Sequence, residues 1–187
     1  MNAVTLRKVT LLVAALGVSW THVAAQCASN VVGVRSSIQS KYRSQDDPNF
    51  DFIQPSPPRD IGEGLDELRR GGFEVRDFGD LNVDVSYVYS LKHEREAWRL
   101  CLSMVGPYAA LFRLTRNNSV LTTGAGATAS ERAILRFLGA IHYRLLDRRT
   151  LSCPSNLRRM RQLQESGSRR IVIWQAIFRE EERLPWR

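Results

Sequence analysis

The sequence is poor in histidine and cysteine and has no long apolar run in its body, and each shortage removes a class of function. Three histidines occur, His22, His93 and His142. His93-Glu94 has no second histidine four places on, so the zinc-protease motif is missing. His93 reads instead as a surface helical residue beside a glutamate, and His142 as a hydrogen-bonded or half-exposed residue next to an apolar helix face. The cysteines Cys27, Cys101 and Cys153 make no Cys-x-x-Cys pair, and an odd number permits at most one internal bridge. That is too few for a small fold stapled by disulfides, so an apolar core must do the stabilising. Cys101 lies between Leu100 and Leu102 and reads as a buried structural thiol rather than a nucleophile. No Gly-x-Ser-x-Gly elbow occurs, and Gly124-Ala125-Gly126 has neither the lysine nor the strand–turn–helix frame of a phosphate cradle. Carboxylates are scattered or set beside arginines, as on a salt-bridged surface. No catalytic residue, cofactor site or metal site is assigned, and the chain is not read as an enzyme.

What is present begins with a leader. Arg7 and Lys8 precede the apolar run Val9 to Val18, ten residues where a membrane span takes roughly 20. Small residues at Val23 and Ala25 suit a cleavage site. Residues 1–25 are therefore expected to be a signal peptide and 26–187 one exported domain, secreted to the extracellular space with no transmembrane segment. The formal charge of +8 falls by two when Arg7 and Lys8 leave with the leader. A basic exported protein meets sulfated glycans such as heparan sulfate and acidic receptor faces; nucleic acid does not fit that compartment. The basic pairs Arg69-Arg70, Arg148-Arg149, Arg158-Arg159 and Arg169-Arg170 are spread out and read as solvated surface.

Four stretches show helical periodicity. From Cys27 to Gln45, Val31, Val34, Ile38 and Tyr42 share one face, with Arg35, Gln39 and Arg43 opposite; Pro48 closes the stretch. Residues 47 to about 80, rich in proline and glycine, read as one long connection with a helical turn at 65–70. Its apolar residues Phe50, Phe52, Ile53 and Phe73 are expected to lie against the domain. From Leu81 two patterns compete. Leu81, Val83, Val85, Tyr87, Tyr89 and Leu91 alternate as in a half-buried strand. Leu81, Val85, Val88, Leu91, Trp98, Leu102 and Val105 follow a three-four spacing. Residues 92–104 look helical, which favours a helix throughout, and Pro107 to Arg116 reads as its continuation or a short separate helix. Asn117-Asn118-Ser119 is an acceptor pattern for N-linked glycan at Asn117. Ser130 is expected to cap a third helix carrying Ile134, Phe137, Leu138, Ile141 and Leu145. A last helix is expected from Arg169 to about Leu184, with Ile173, Trp174, Ile177 and Phe178 inward.

One stretch carries a family resemblance. Tyr42-Arg43-Ser44-Gln45-Asp46-Asp47-Pro48-Asn49-Phe50, followed by Gln54-Pro55-Ser56-Pro57-Pro58-Arg59, resembles the end of the first helix in the cardiotrophin and ciliary neurotrophic factor branch of the interleukin-6 cytokines. Trp174, Phe178, Arg179 and Glu180 are similar to that family's tail. The Phe-x-x-Lys that the family carries at the start of its fourth helix is missing around Leu157 to Gln164. The resemblance implies an all-α, four-helix, up-up-down-down long-chain bundle with a long Pro/Gly-rich first crossover. It also implies a growth-factor-like ligand that clusters cell-surface cytokine receptors, among them the signal-transducing chain shared by that family. In that topology the third helix ends where the first begins, which would bring Cys27 to Cys153 and leave Cys101 free. Receptor contacts would then fall on Arg35, Gln39, Arg43, Arg179, Glu182, Arg183 and Trp186, since interface anchors favour arginine and aromatics. The other reading of the residues is a basic secreted binding protein for glycans, membrane surfaces or a defence target, without receptor signalling. A strand at 81–91 would weaken the bundle and the cytokine reading together.

Overall fold

The computed structural model of the protein describes residues 27, 31–80, 84–114, 119–122, 127–158 and 171–179. Among these the elements are α1 (Val32–Tyr42), α2 (Arg59–Arg70), β1 (Glu74–Asp77), β2 (Ser86–His93), β3 (Glu96–Ser103), β4 (Tyr108–Leu114), β5 (Ser119–Leu121), α3 (Ala129–Ala140), β6 (Arg144–Leu145), α4 (Arg148–Leu151) and α5 (Ile173–Ile177). The strands form one sheet in the order β1-β2-β3-β4-β5, all antiparallel, with β6 added parallel to β4. The expected four-helix up-up-down-down bundle is therefore corrected: the chain is mixed α/β, with short helices laid on both faces of a sheet.

The correction has a physical cause in the middle of the chain. The stretch expected to be a helix from 81 to 104 is the hairpin β2–β3, and the expected helix at 107–116 is β4. Tyr87, Tyr89 and Leu91 of β2, Trp98, Leu100 and Leu102 of β3, and Ala109 and Leu111 of β4 enter a core closed by α2 and α3. Val88, Cys101, Ala110 and Phe112 point the other way, into a second core built from α1, Leu151 of α4 and α5. Strands buried on both faces lose the alternation of a half-wet sheet and read as near-continuous apolar runs. In such a run a three-four spacing can be found as easily as a spacing of two. The hairpin turns through Glu94, which takes a φ of 53°.

The long connection also has structure of its own. Residues 59–70 form α2, begun by Pro58 as helix entry and carrying Ile61, Leu65 and Leu68 inward, and 74–77 form the edge strand β1. Phe50 and Phe52 do lie against the body, each edge-on to the Tyr42 ring at 5.3 and 5.0 Å between centroids. The Tyr42 hydroxyl donates to the carbonyl of Ala176 at 2.7 Å, tying α1 to α5. The two helices on the other face meet where Gly64 lies flat against the Phe137 ring; a Cβ there would sit 2.4 Å from Cε2. Helix α3 is capped not by Ser130 but by Thr128, whose hydroxyl accepts from the Glu131 amide. The last helix is shorter than expected, with α5 ending at Ile177 and Arg179 bridging antiparallel to Asp84.

Cys27 and Cys153 are joined, with 5.7 Å between Cα atoms. The pair is the expected one, but the poles of a bundle have no part in it: the bridge fastens the chain ahead of α1 to the segment after α4, on the same sheet face. Cys101 is buried and outside the bridge, on a strand rather than a helix.

Three tyrosines line the α2–α3 core, and burial raises each of their pKa values. Tyr143, half-buried with its hydroxyl donating to the Ser103 carbonyl at 3.3 Å, is pushed up to about 12 by desolvation, helped by the charge of Asp60. Tyr89 is raised further by desolvation and by Asp77, and Tyr87 is raised by desolvation. An unfolded phenol ionises near pH 10. Between the unfolded and folded values the unfolded chain releases protons that the native state keeps, so native stability falls as pH rises. Urea unfolding at successive pH values should show constant stability up to about pH 9 and a decline from about pH 10 onward. Tyr143→Phe should make that decline shallower, and an unchanged slope would show that its phenol does not contribute.

Candidate functional site: a basic half of the sheet face

The face that carries Val88, Cys101, Ala110 and Phe112 is only partly covered among the described residues. Toward the β1 edge its side chains become polar. Strand pairing sets Glu74 opposite Lys92, Arg76 opposite Ser90, and Ser90 opposite Arg99, so these five residues share one face across three strands. Strands about 4.8 Å apart and a repeat of nearly 7 Å along each strand place the Cα atoms of Arg76 and Arg99 about 10 Å apart, with Lys92 about 8–9 Å from each. Glu74, Arg76, Ser90 and Lys92 line a shallow groove of about 200 Å³.

Charge in this groove is unbalanced. Arg76 pairs with Glu74 along β1. Among the described residues neither Lys92 nor Arg99 has a carboxylate within 4.0 Å. Three cations thus face one carboxylate around the Ser90 hydroxyl. At the rim stands Phe78, 59% exposed, with its amide donating to the Val88 carbonyl and its ring under the Arg99 guanidinium at 5.3 Å. Sequence reasoning missed this group because its members come from three separate stretches and none makes a motif. The only trace in the sequence is the polar alternation Ser90-x-Lys92 within an otherwise apolar strand.

A second polar cluster closes the opposite face near the start of α3. Glu131, fully buried, accepts from Arg113 Nη2 and from the Thr122 hydroxyl. Thr128 donates to Glu96 at 3.0 Å. His93 Nδ1 lies 3.0 Å from the Ser130 hydroxyl, and its ring stacks on Phe73 at 4.6 Å. His93 is thus a strand residue in contact with the core, not a surface helical one. A serine beside a histidine suggests a nucleophile and base, but His93 is stacked on Phe73 and, among the described residues, no carboxylate pairs with its ring. The cluster anchors α3 to the sheet.

Of the expected receptor contacts, Arg35, Gln39, Arg43 and Arg179 fall among the described residues. Arg35 is half-buried, its Nε donating to the Pro154 carbonyl at 3.0 Å. Gln39 and Arg43 are exposed near the end of α1, with Gln39 bonded to the Arg43 carbonyl. Arg179 forms an ion pair with the buried Asp84 at 3.4 Å. Glu182, Arg183 and Trp186 lie outside the described residues, as do Asn117 and the leader, residues 1–25. His142 is exposed at the end of α3 with a φ of 59°. No helix among the described residues is long and apolar enough to cross a membrane, and no group of three or more metal-ligating side chains occurs among them.

Among the described residues, fold and site define a largely antiparallel sheet covered by helices on both faces, with one basic half-face left uncovered. No protein-family model, curated protein or solved structure matches it. The segment that resembled interleukin-6 cytokines is used differently here. Tyr42 and Phe50 close the core beside α5, and Pro58-Arg59 starts a helix against a sheet.

Proposed function

We propose that the protein is an exported, non-catalytic binding protein that holds an anionic ligand on the open half of its sheet. One observation carries this: Lys92 and Arg99, without acidic partners among the described residues, converge with Arg76 around Ser90 on adjacent strands of a rigid sheet. Cations fixed by strand pairing are arranged before the ligand arrives, which lowers the ordering cost of binding. The formal charge of +8 over the full chain, two less without Arg7 and Lys8, adds long-range attraction for the same ligands. Reading the chain as a receptor-clustering helical ligand rested on a four-helix bundle, and the described residues form a sheet with short helices instead.

The test is binding to an immobilised anionic polymer at increasing salt. Lys92→Ala combined with Arg99→Ala should weaken binding about tenfold to thirtyfold at physiological salt, roughly 1 kcal/mol for each surface cation lost. The Arg69→Ala and Arg70→Ala pair removes the same charge from α2, on the other side of the sheet, and should change affinity by less than about threefold. Equal losses in the two double variants would show that binding follows net charge alone, and the proposed site would fall.

A further inference from the structure

We infer that the anion held in this groove is a segment of sulfated polysaccharide, with Phe78 as the platform for a sugar ring. The inference rests on the anion-binding reading above and adds the chemistry of the ligand. Among the described residues only two large apolar side chains are markedly exposed, Val32 and Phe78. Phe78 is the one that borders the cations, and Arg99 lies over its ring at 5.3 Å. Guanidinium and ring are therefore held as a unit, apolar surface directly beside positive charge.

A ligand that fits such a unit must alternate in the same way. Pyranose rings present a face of C–H groups that lies flat on an aromatic ring, and a sulfated glycan sets an anionic group to either side of that face. Three further features agree. The Cα atoms of the cations lie about 8–10 Å apart across the strands rather than in a continuous row, which suits charges separated by a sugar. The Ser90 hydroxyl between them can give and accept a hydrogen bond, as an unsulfated hydroxyl requires. Glu74 opposes Lys92, so a chain whose charges follow one another with no ring between them, such as polyphosphate, meets repulsion that a chain spacing its charges by sugar rings avoids. A lipid headgroup surface, being flat, does not enter a groove. A single-stranded nucleic acid also alternates ring and charge, and is separated from the glycan by the experiment.

Full-length protein is titrated with a heparin hexasaccharide, with polyphosphate of matched charge and with an oligothymidylate of matched charge. The hexasaccharide should bind tightest. Phe78→Ala should weaken it about tenfold, the loss expected of an aromatic anchor, while changing polyphosphate binding less than about twofold; Phe78→Tyr should retain binding. Phe78 is exposed, so its replacement leaves the core intact, and an unchanged near-ultraviolet spectrum confirms this. Equal or tighter binding of the oligothymidylate, or a Phe78→Ala variant that binds the hexasaccharide as before, overturns the glycan inference and leaves the anion site standing. Loss of no probe on combining Lys92→Ala with Arg99→Ala removes the anion site itself.

Discussion

Replacing Cys27 and Cys153 together by serine should lower the stability of the protein by about 4 kcal/mol. The bridge links residues separated by 126 positions. Closing so long a loop in the unfolded chain removes much of its conformational freedom, and the entropic stabilisation of a loop of order 100 residues is about 4–5 kcal/mol. Domains of this size are commonly stable by only about 5–15 kcal/mol, so the loss is a large share of the total. The effect should also be local in its consequences. Cys153 is buried in the core shared by α1 and α5, while Cys27 packs at its margin. Guanidinium unfolding of the reduced-equivalent variant should therefore show a lower midpoint, and hydrogen exchange should rise first in α1. The core on the other face, between α2, α3 and the sheet, should keep its protection longer. A variant as stable as the parent would mean that the bridge constrains a segment already ordered in the unfolded ensemble.

The second large effect is expected at the buried Glu131. Its side chain is fully inaccessible and its oxygens take hydrogen bonds from Arg113 and Thr122, while the Arg113 side chain keeps 37% exposure. Arg113→Leu leaves a carboxylate in the interior without its cation, and breaking a buried pair from one side costs about 3 kcal/mol or more. Adding Glu131→Leu to the same chain should recover most of that loss, since an apolar pair of similar volume needs no desolvation. Chemical denaturation of the two single variants and the double variant measures the coupling directly. If Arg113→Leu alone is nearly neutral, the partly exposed arginine is not what keeps Glu131 in place, and Thr122 with the α3 amino-terminal turn must do so.

Several elements were legible in the sequence because one physical signal dominated. Val31, Val34, Ile38 and Tyr42 recur at helical spacing with polar residues between them, and all four are buried, three on α1 and Val31 at its N-cap. Ile134, Phe137 and Leu138 likewise mark α3. Both helices cover a core with one side only, so one side wet and one dry leaves an unmistakable period. Apolar aromatics in the Pro-rich segment pointed correctly to a connection lying against the body. The middle of the chain offered no such contrast. At β2 to β4 most positions are buried, by helices from one face or the other, so the contrast that marks a period is weakened there. The strict alternation from Val85 to Leu91 was the true signal there, outweighed by an apparent spacing of three and four that extended across a hairpin turn.

The basic half-face shows the same division. That the chain is cationic and poor in metal-binding and nucleophilic residues follows from composition and local context, because charge and side-chain chemistry are carried by each residue alone. Which cations stand together is not a property of any one segment. Arg76, Lys92 and Arg99 become neighbours through the register of three strands, and a shift of one residue in that register would turn Lys92 and Ser90 into the α2–α3 core. The sequence by itself determined the helices with one wet side, the pool of positive charge and the lack of catalytic motifs. The tertiary structure alone decided that the central apolar stretches pair as strands, and that pairing, which depends on burial from both faces at once, set Arg76 and Lys92 in one groove with Arg99 and Phe78 on the same face beside it.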